Sequence, residues 1–69
     1  MPRLRLRVKA VLEEKRISIT RASRLADLNY KTVRDMVAHP DREVAYTSLY
    51  KLARALGVQV SDLIEEIPD

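Results

Sequence analysis

Polar and basic side chains cluster at the start of one predicted helix. Residues 18–37 have the spacing of two short helices, separated by a sharp break at residues 27–29. The exposed N-terminal side of the second helix would carry a set of hydrogen-bonding side chains: Asn29, Tyr30, Lys31, Thr32 and Arg34. Side chains of these types bond phosphate oxygens and the edges of bases. A protein that places a helix end in a DNA groove needs this arrangement.

The charges are divided unequally between the two halves of the chain. Residues 1–34 hold ten Lys/Arg and three acids, a net charge of +7. Residues 35–69 hold three Lys/Arg and seven acids, a net charge of −4. This asymmetry predicts one half that faces a polyanion and one half that faces solvent. Chance segregation of charge in an ordinary domain is the alternative, since basic patches are common.

Length and composition limit what kind of protein this is. Sixty-nine residues make one domain with a small core. The lack of cysteine removes disulfides, and with a single histidine it also excludes a zinc finger. No apolar segment has the length of a signal peptide core or a membrane span, so we expect a cytoplasmic protein without a membrane partner. One glycine and three aromatic residues argue against a β-sandwich and against a stacking surface for single strands.

The chain offers no arrangement of residues for catalysis. It has no glycine-rich phosphate loop and no cysteine nucleophile. Its only histidine, His39, precedes Pro40 in a predicted loop, where a surface position is expected. We therefore predict that the protein is not an enzyme, with no catalytic residue, no metal site and no cofactor.

Hydrophobic spacing predicts five helices in an all-α domain. A first helix of about ten residues begins near Leu6, and Ser18 is a natural N-cap for the second. Asn29 caps the third helix, whose core-facing side chains follow at helical spacing: Val33, Met36 and Val37. A fourth helix begins near Tyr46 and ends at Gly57, and Ser61 caps the last.

The two ends of the chain carry a separate signal. Residues 3–8 alternate basic and apolar side chains, which is the pattern of a strand. These apolar side chains are unsuited to a free tail, because unpaired apolar strands associate. We expect the segment to pair with residues 64–67, either within one chain or across two.

Three blocks of sequence resemble the lambda-repressor-like, Cro/Xre-type helix-turn-helix family. Residues 11–18 resemble the end of its first helix and the cap of its second, and residues 28–33 resemble the opening of its recognition helix. Residues 49–58, followed by 61–64, are similar to its closing helices. The similarity runs from about residue 6 to 67, and both chain ends resemble a small single-domain branch.

The resemblance implies a fold and a function. The fold would be a compact five-helix domain over residues 1–69, with the helix-turn-helix at about 18–38. The function would be that of a sequence-specific double-stranded DNA-binding transcriptional regulator, such as a repressor. Its recognition helix, about residues 29–38, would lie in the major groove.

The same resemblance implies roles for individual side chains. Base contacts are carried over to the start of the third helix: Asn29, Tyr30, Lys31, Thr32 and Arg34. Phosphate contacts are carried over to the second helix and the loop after the third: Thr20, Arg21 and Arg42. Asn29 has helix capping as an alternative role. Asp35 would be repelled by phosphate, so we expect it to pair with Arg34 or Lys31, a contact to cytosine being the alternative.

The chain departs from the family pattern in the second helix, in the turn after it and at the cap of the fourth helix. In the second helix, Ala22-Ser23 stands where the family usually has Leu-Ala. Ile19 stands where a glutamine usually braces the recognition helix, and Asp27 stands at the usual glycine of the turn. Ala45 replaces the usual Ser or Asp cap of the fourth helix, whose end is therefore expected to fray.

The expected partner is double-stranded DNA, bound by a homodimer. A module of this size contacts only half of an operator, so a second copy adds needed affinity. The alternative function is a protein-interaction module on the same fold, such as an antitoxin-like or anti-repressor partner. Its binding surface would be the apolar N-terminus and the acidic C-terminal half.

Overall fold

The computed structural model describes residues 3–68, which form four α-helices, one 3₁₀ helix and two strands. The elements in chain order are β1 (Arg3–Leu6), α1 (Val8–Lys15), α2 (Ile19–Ala26), α3 (Tyr30–Ala38), α4 (Tyr46–Leu56), the 3₁₀ helix (Val60–Leu63) and β2 (Ile64–Ile67). Within this range the predicted helical domain is present, but it has four α-helices where hydrophobic spacing predicts five.

The expected pairing of the two chain ends is confirmed, and it occurs within one chain. β1 and β2 are antiparallel, with Arg3 opposite Ile67 and Leu6 opposite Ile64. The extended segment ends at Leu6, before the predicted end at Val8. Val8 is instead the first residue of α1 and is fully buried in the core. The two strands therefore join the ends of the chain over the helical core.

A single core holds the helices together. Its buried apolar side chains are Val8, Val11, Leu12, Ala22, Ala26, Val33, Met36, Leu49, Leu52, Ala53, Leu56 and Leu63. α2 packs against both α3 and α4, so the helix-turn-helix rests on the fourth helix. Small side chains on α2, among them Ala22 and Ser23, permit this close approach. Leu25 is 51% exposed, because it lies on the outer side of α2.

The fifth α-helix is not present as predicted. Ser61 lies inside the 3₁₀ helix instead of capping an α-helix, and the chain is extended again from Ile64. The backbone N–H of Gln59 donates to Asp62 Oδ2 at 2.9 Å, which fixes this single short turn. Extension follows because residues 64–67 hydrogen-bond to β1, a gain that one more helical turn does not offer.

The two ends of α4 differ in how they are stabilised. Gly57 ends the helix with φ 71°, the left-handed conformation that favours glycine, and this confirms its predicted capping role. Ala45 precedes the helix without a side-chain hydrogen bond, yet the helix begins directly at Tyr46.

Among residues 3–68, no helix combines the length and the apolar character that crossing a membrane requires.

Candidate nucleic-acid interface

The first turn of α2 presents polar side chains to solvent. The backbone N–H of Arg21 donates to Ser18 Oγ at 3.1 Å, so Ser18 is the N-cap that its sequence position predicts. Thr20 and Arg21 are both exposed on this turn. Ile19 is half-buried against the core, so an apolar contact occupies the position where the family pattern has a polar brace. The start of α2 is therefore anchored by packing and by its cap.

The turn between α2 and α3 closes without glycine. Asp27 adopts the left-handed conformation, with φ 55° and ψ 45°. The N–H of Leu28 donates to the carbonyl of Ser23 at 2.9 Å, which closes the end of α2. Asp is one of the few residues that reach this conformation at modest cost. The tight turn needed between the two helices thus forms despite the departure from glycine.

Asn29 caps the N-terminus of α3. Its Oδ1 accepts a hydrogen bond from the N–H of Lys31 at 3.2 Å. The capping role that the sequence leaves as an alternative is therefore present in the structure. Since the cap uses only the side-chain oxygen, the amide NH₂ of this exposed residue stays available as a donor.

The side chains of α3 divide into a solvent face and a core face. Tyr30, Lys31 and Arg34 are exposed and lie on one side of the helix, because their spacing matches the helical repeat. Val33 and Met36 are buried on the opposite side. We call the first three residues the α3 face. The five predicted base-contacting residues thus include three on one continuous surface, together with the cap residue Asn29 at its end.

Thr32 lies apart from the α3 face. It is half-buried and lines a shallow groove of about 300 Å³ between α3, the following loop and the start of α4. Arg42, predicted to bind phosphate, lines the same groove and is exposed. The groove thus brings together one predicted base contact and one predicted phosphate contact on the flank of α3.

Asp35 forms the expected pair with its neighbour. Arg34 Nη2 lies 3.8 Å from Asp35 Oδ1, and the Arg34 side chain remains 55% exposed. An exposed pair at this distance contributes little to stability. Arg34 can therefore leave Asp35 for a stronger acceptor.

The N-terminus of α4 is a feature to which sequence reasoning assigns no role. The first N–H groups of any helix lack partners within the helix, and Ala45 supplies no side-chain acceptor for them. Ala45 and Ser48 line the same groove as Arg42. In the sequence, Ala45 at the cap position and Arg42 in the preceding loop are the signal that could have indicated a role for this helix end.

His39 is exposed beside Pro40, as predicted. Across residues 3–68, no three side chains of His, Cys, Asp or Glu come together in a way that would hold a metal ion.

Comparison with known families is consistent with this geometry. A family model described as the Cro/C1-type HTH DNA-binding domain matches residues 7–69. A search of curated proteins found no match to this chain.

Proposed function

The chain belongs to the Cro/C1-type helix-turn-helix DNA-binding family, and from that premise we propose that it is a transcriptional regulator that binds specific sequences in duplex DNA. Residues 29–38 would act as the recognition helix in the major groove. The observation that carries the proposal is the α3 face, where exposed donors follow a capped helix N-terminus. Unpaired N–H groups and the helix dipole at this end favour the negative charge of DNA.

The proposed base contacts differ in their chemistry. Lys31 and Arg34 donate to guanine O6 and N7, and Arg34 leaves its weak pair with Asp35 to do so. Tyr30 packs on a thymine methyl group or donates to a phosphate. Asn29 contributes its free amide, and Thr32 reaches a base at the flank of the helix next to the groove.

The proposed phosphate contacts lie on the segments that precede and follow α3. Thr20 and Arg21 lie in the first turn of α2, and Arg42 lies in the loop after α3. The N-terminus of α4 adds backbone N–H donors beside Arg42, which makes it a further candidate for a phosphate oxygen. These contacts would fix the position of the domain on the duplex without reading its sequence.

The proposal includes a homodimer and a cytoplasmic location. One 8.0 kDa module covers a single half-site, and two copies related by a two-fold axis would read two half-sites. The cytoplasmic location follows from the proposed partner, because duplex DNA has to be accessible to the protein.

Binding to labelled duplexes across a range of salt concentrations tests the proposal. Neutralising phosphates releases counterions, so affinity is expected to fall steeply and linearly on a log–log plot as salt rises. A competing random duplex provides the control for specificity. Failure to bind any duplex at low salt, or binding that does not respond to salt, would refute the proposed function.

A further inference from the structure

Two exposed apolar side chains flank a groove on the side of the domain that carries the strands. Within residues 3–68, Tyr46 is 71% exposed and Leu4 is 64% exposed, more than any other large apolar side chain. Between them lies a groove of about 360 Å³, and its apolar lining includes Leu6, Val44, Leu49 and Ile64. We call this surface the β1–α4 groove. An apolar surface that continues into the core is a feature of interaction sites.

The backbone edge beside the groove is short and partly closed. The N–H of Leu6 donates to the carbonyl of Pro40 at 2.9 Å, outside the strand pair. β1 has only four residues and neighbouring residues alternate in direction. Among the described residues, this edge therefore leaves open the backbone groups of Leu4 and the carbonyl of Leu6. A partner that adds a strand would gain little here, so the side chains of the groove are the binding surface.

The charges around the groove match a second copy of the same surface. Its rim carries Asp41, Arg42 and Glu43 in sequence, so both signs are present within three residues. A two-fold interface places a surface against itself, so a rim that carries both signs meets a rim that also carries both signs. A strongly acidic or strongly basic partner would be repelled by the rim charges of its own sign.

The position of the groove suits a dimer that holds DNA. Residues 40–44, in the loop that follows the C-terminal end of α3, form one wall of the groove. A two-fold contact at this wall would bring the C-terminal ends of both α3 helices toward the axis. Their capped N-termini would point away from it, each toward its own half-site.

We propose that a second copy of this chain docks in the β1–α4 groove, with Tyr46 of each copy packed beside Leu4 of the other. The proposal rests on the proposed function, since it names the partner surface of the dimer that would bind two half-sites. The dimer would then form through side chains that are already exposed in the free protein, before DNA binds.

Sedimentation equilibrium without DNA tests the interface directly. Wild-type protein is expected to approach twice 8.0 kDa as its concentration rises toward about 1 mM. Tyr46→Glu places a charge in the apolar contact and is expected to weaken dimerisation at least about tenfold. Tyr50→Glu is the matched control, because Tyr50 is also an exposed tyrosine of α4 but lies outside the groove.

The possible outcomes separate this interface from other arrangements. A wild-type chain that stays monomeric would overturn the proposal and leave the groove to a different protein. Equal dimerisation of Tyr46→Glu and wild type would overturn it as well, since the contact would then lie elsewhere. Circular dichroism checks that each variant is folded, and Leu4→Ser replaces Tyr46→Glu if that variant is not.

A second measurement distinguishes failure of the interface from failure of DNA binding. On a duplex with one selected half-site, Leu4→Ser is expected to bind with the affinity of wild type, because Leu4 lines the groove and has no proposed DNA contact. On a duplex with two half-sites it is expected to lose the additional affinity that wild type shows. If no variant binds any duplex, the proposed function fails while the mass measurement still decides the interface.

Discussion

Lys31 and Arg34 differ from the other cations of the chain in where the backbone places them. Both lie on the exposed side of α3, within its first turns and next to the cap formed by Asn29. Arg5, by contrast, is held by Glu65, with Nε at 3.0 Å and Nη2 at 2.7 Å from the same carboxylate oxygen. The value of a basic residue for reading DNA thus depends on its freedom and its position as well as its charge.

Replacing Lys31 or Arg34 by alanine is expected to weaken binding to the preferred duplex by about 1–3 kcal/mol, roughly 5- to 150-fold in Kd. The loss is expected at one base pair, where discrimination between bases should relax. Fluorescence anisotropy with duplexes that differ at single positions measures both effects. Lys51→Ala is the control, because it removes the same charge from an exposed position on α4. Equal losses for Lys31→Ala and Lys51→Ala would contradict the assignment.

The sequence predicts part of the site at this scale and misses another part. The shared exposure of Tyr30, Lys31 and Arg34 follows from the helical repeat, so it can be deduced once α3 is placed. The separate position of Thr32 cannot, because it depends on how α4 and its preceding loop cover one flank of α3. That arrangement is a property of tertiary packing, which spacing along one helix does not contain.

At the scale of elements, the helix-turn-helix depends on a left-handed residue at Asp27. Its φ of 55° is a conformation that most side chains avoid, whereas glycine adopts it freely. A second non-glycine residue, Arg16, has φ 57° at the end of α1. Both sites therefore store strain at helix ends, and the one at Asp27 lies directly beside the proposed recognition helix.

Asp27→Gly is expected to stabilise the domain by about 0.5–1 kcal/mol, because relief of the left-handed conformation exceeds the entropy cost of glycine. For a domain of this size the gain corresponds to a rise in Tm of about 2–8 °C, measurable by thermal circular dichroism. Lys51→Gly inserts the same residue in the middle of α4 and is expected to cost about 1 kcal/mol. A drop in Tm for Asp27→Gly similar to that for Lys51→Gly would show that the turn is not strained.

Prediction of the elements is reliable where the signal is local. Caps at Ser18, Asn29 and Gly57, together with apolar spacing, locate α2, α3 and the end of α4. The C-terminal segment is predicted as a helix, because Ser61 and the apolar residues after it fit a capped helix. Its actual extended form is set by pairing with β1, a contact about sixty residues away in the chain. Local sequence patterns contain no information on the stabilisation that this long-range strand pairing provides.

At the scale of the whole molecule, the unequal charge of the two halves is used in more than one way. The basic N-terminal half supplies α2 and the start of α3, where the proposed DNA contacts lie. It also supplies β1, where Arg5 forms an ion pair with Glu65 of the acidic β2 in the other half. Net charge alone therefore overstates the charge that is available to a polyanion.

Replacing Arg21 or Arg42 by alanine is expected to weaken binding to all duplexes by a similar factor. If each neutralises one phosphate, the slope of log K against log salt should fall in magnitude by about 1 for each arginine removed. Titrations of preferred and random duplexes at several salt concentrations measure both quantities. Arg24→Ala serves as the control, since Arg24 is exposed on α2 and is expected to be only solvated. A change of base preference in Arg21→Ala or Arg42→Ala would argue against a phosphate role.

Selection of bound sites from a random duplex pool, carried out in parallel for wild type, Lys31→Ala and Arg34→Ala, tests most directly whether α3 reads DNA sequence. We expect the wild-type chain to enrich a consensus with two-fold symmetry. Each variant should lose preference at one symmetric pair of positions and keep the rest. Absence of any enriched sequence, or an identical consensus for all three proteins, would contradict the central claim.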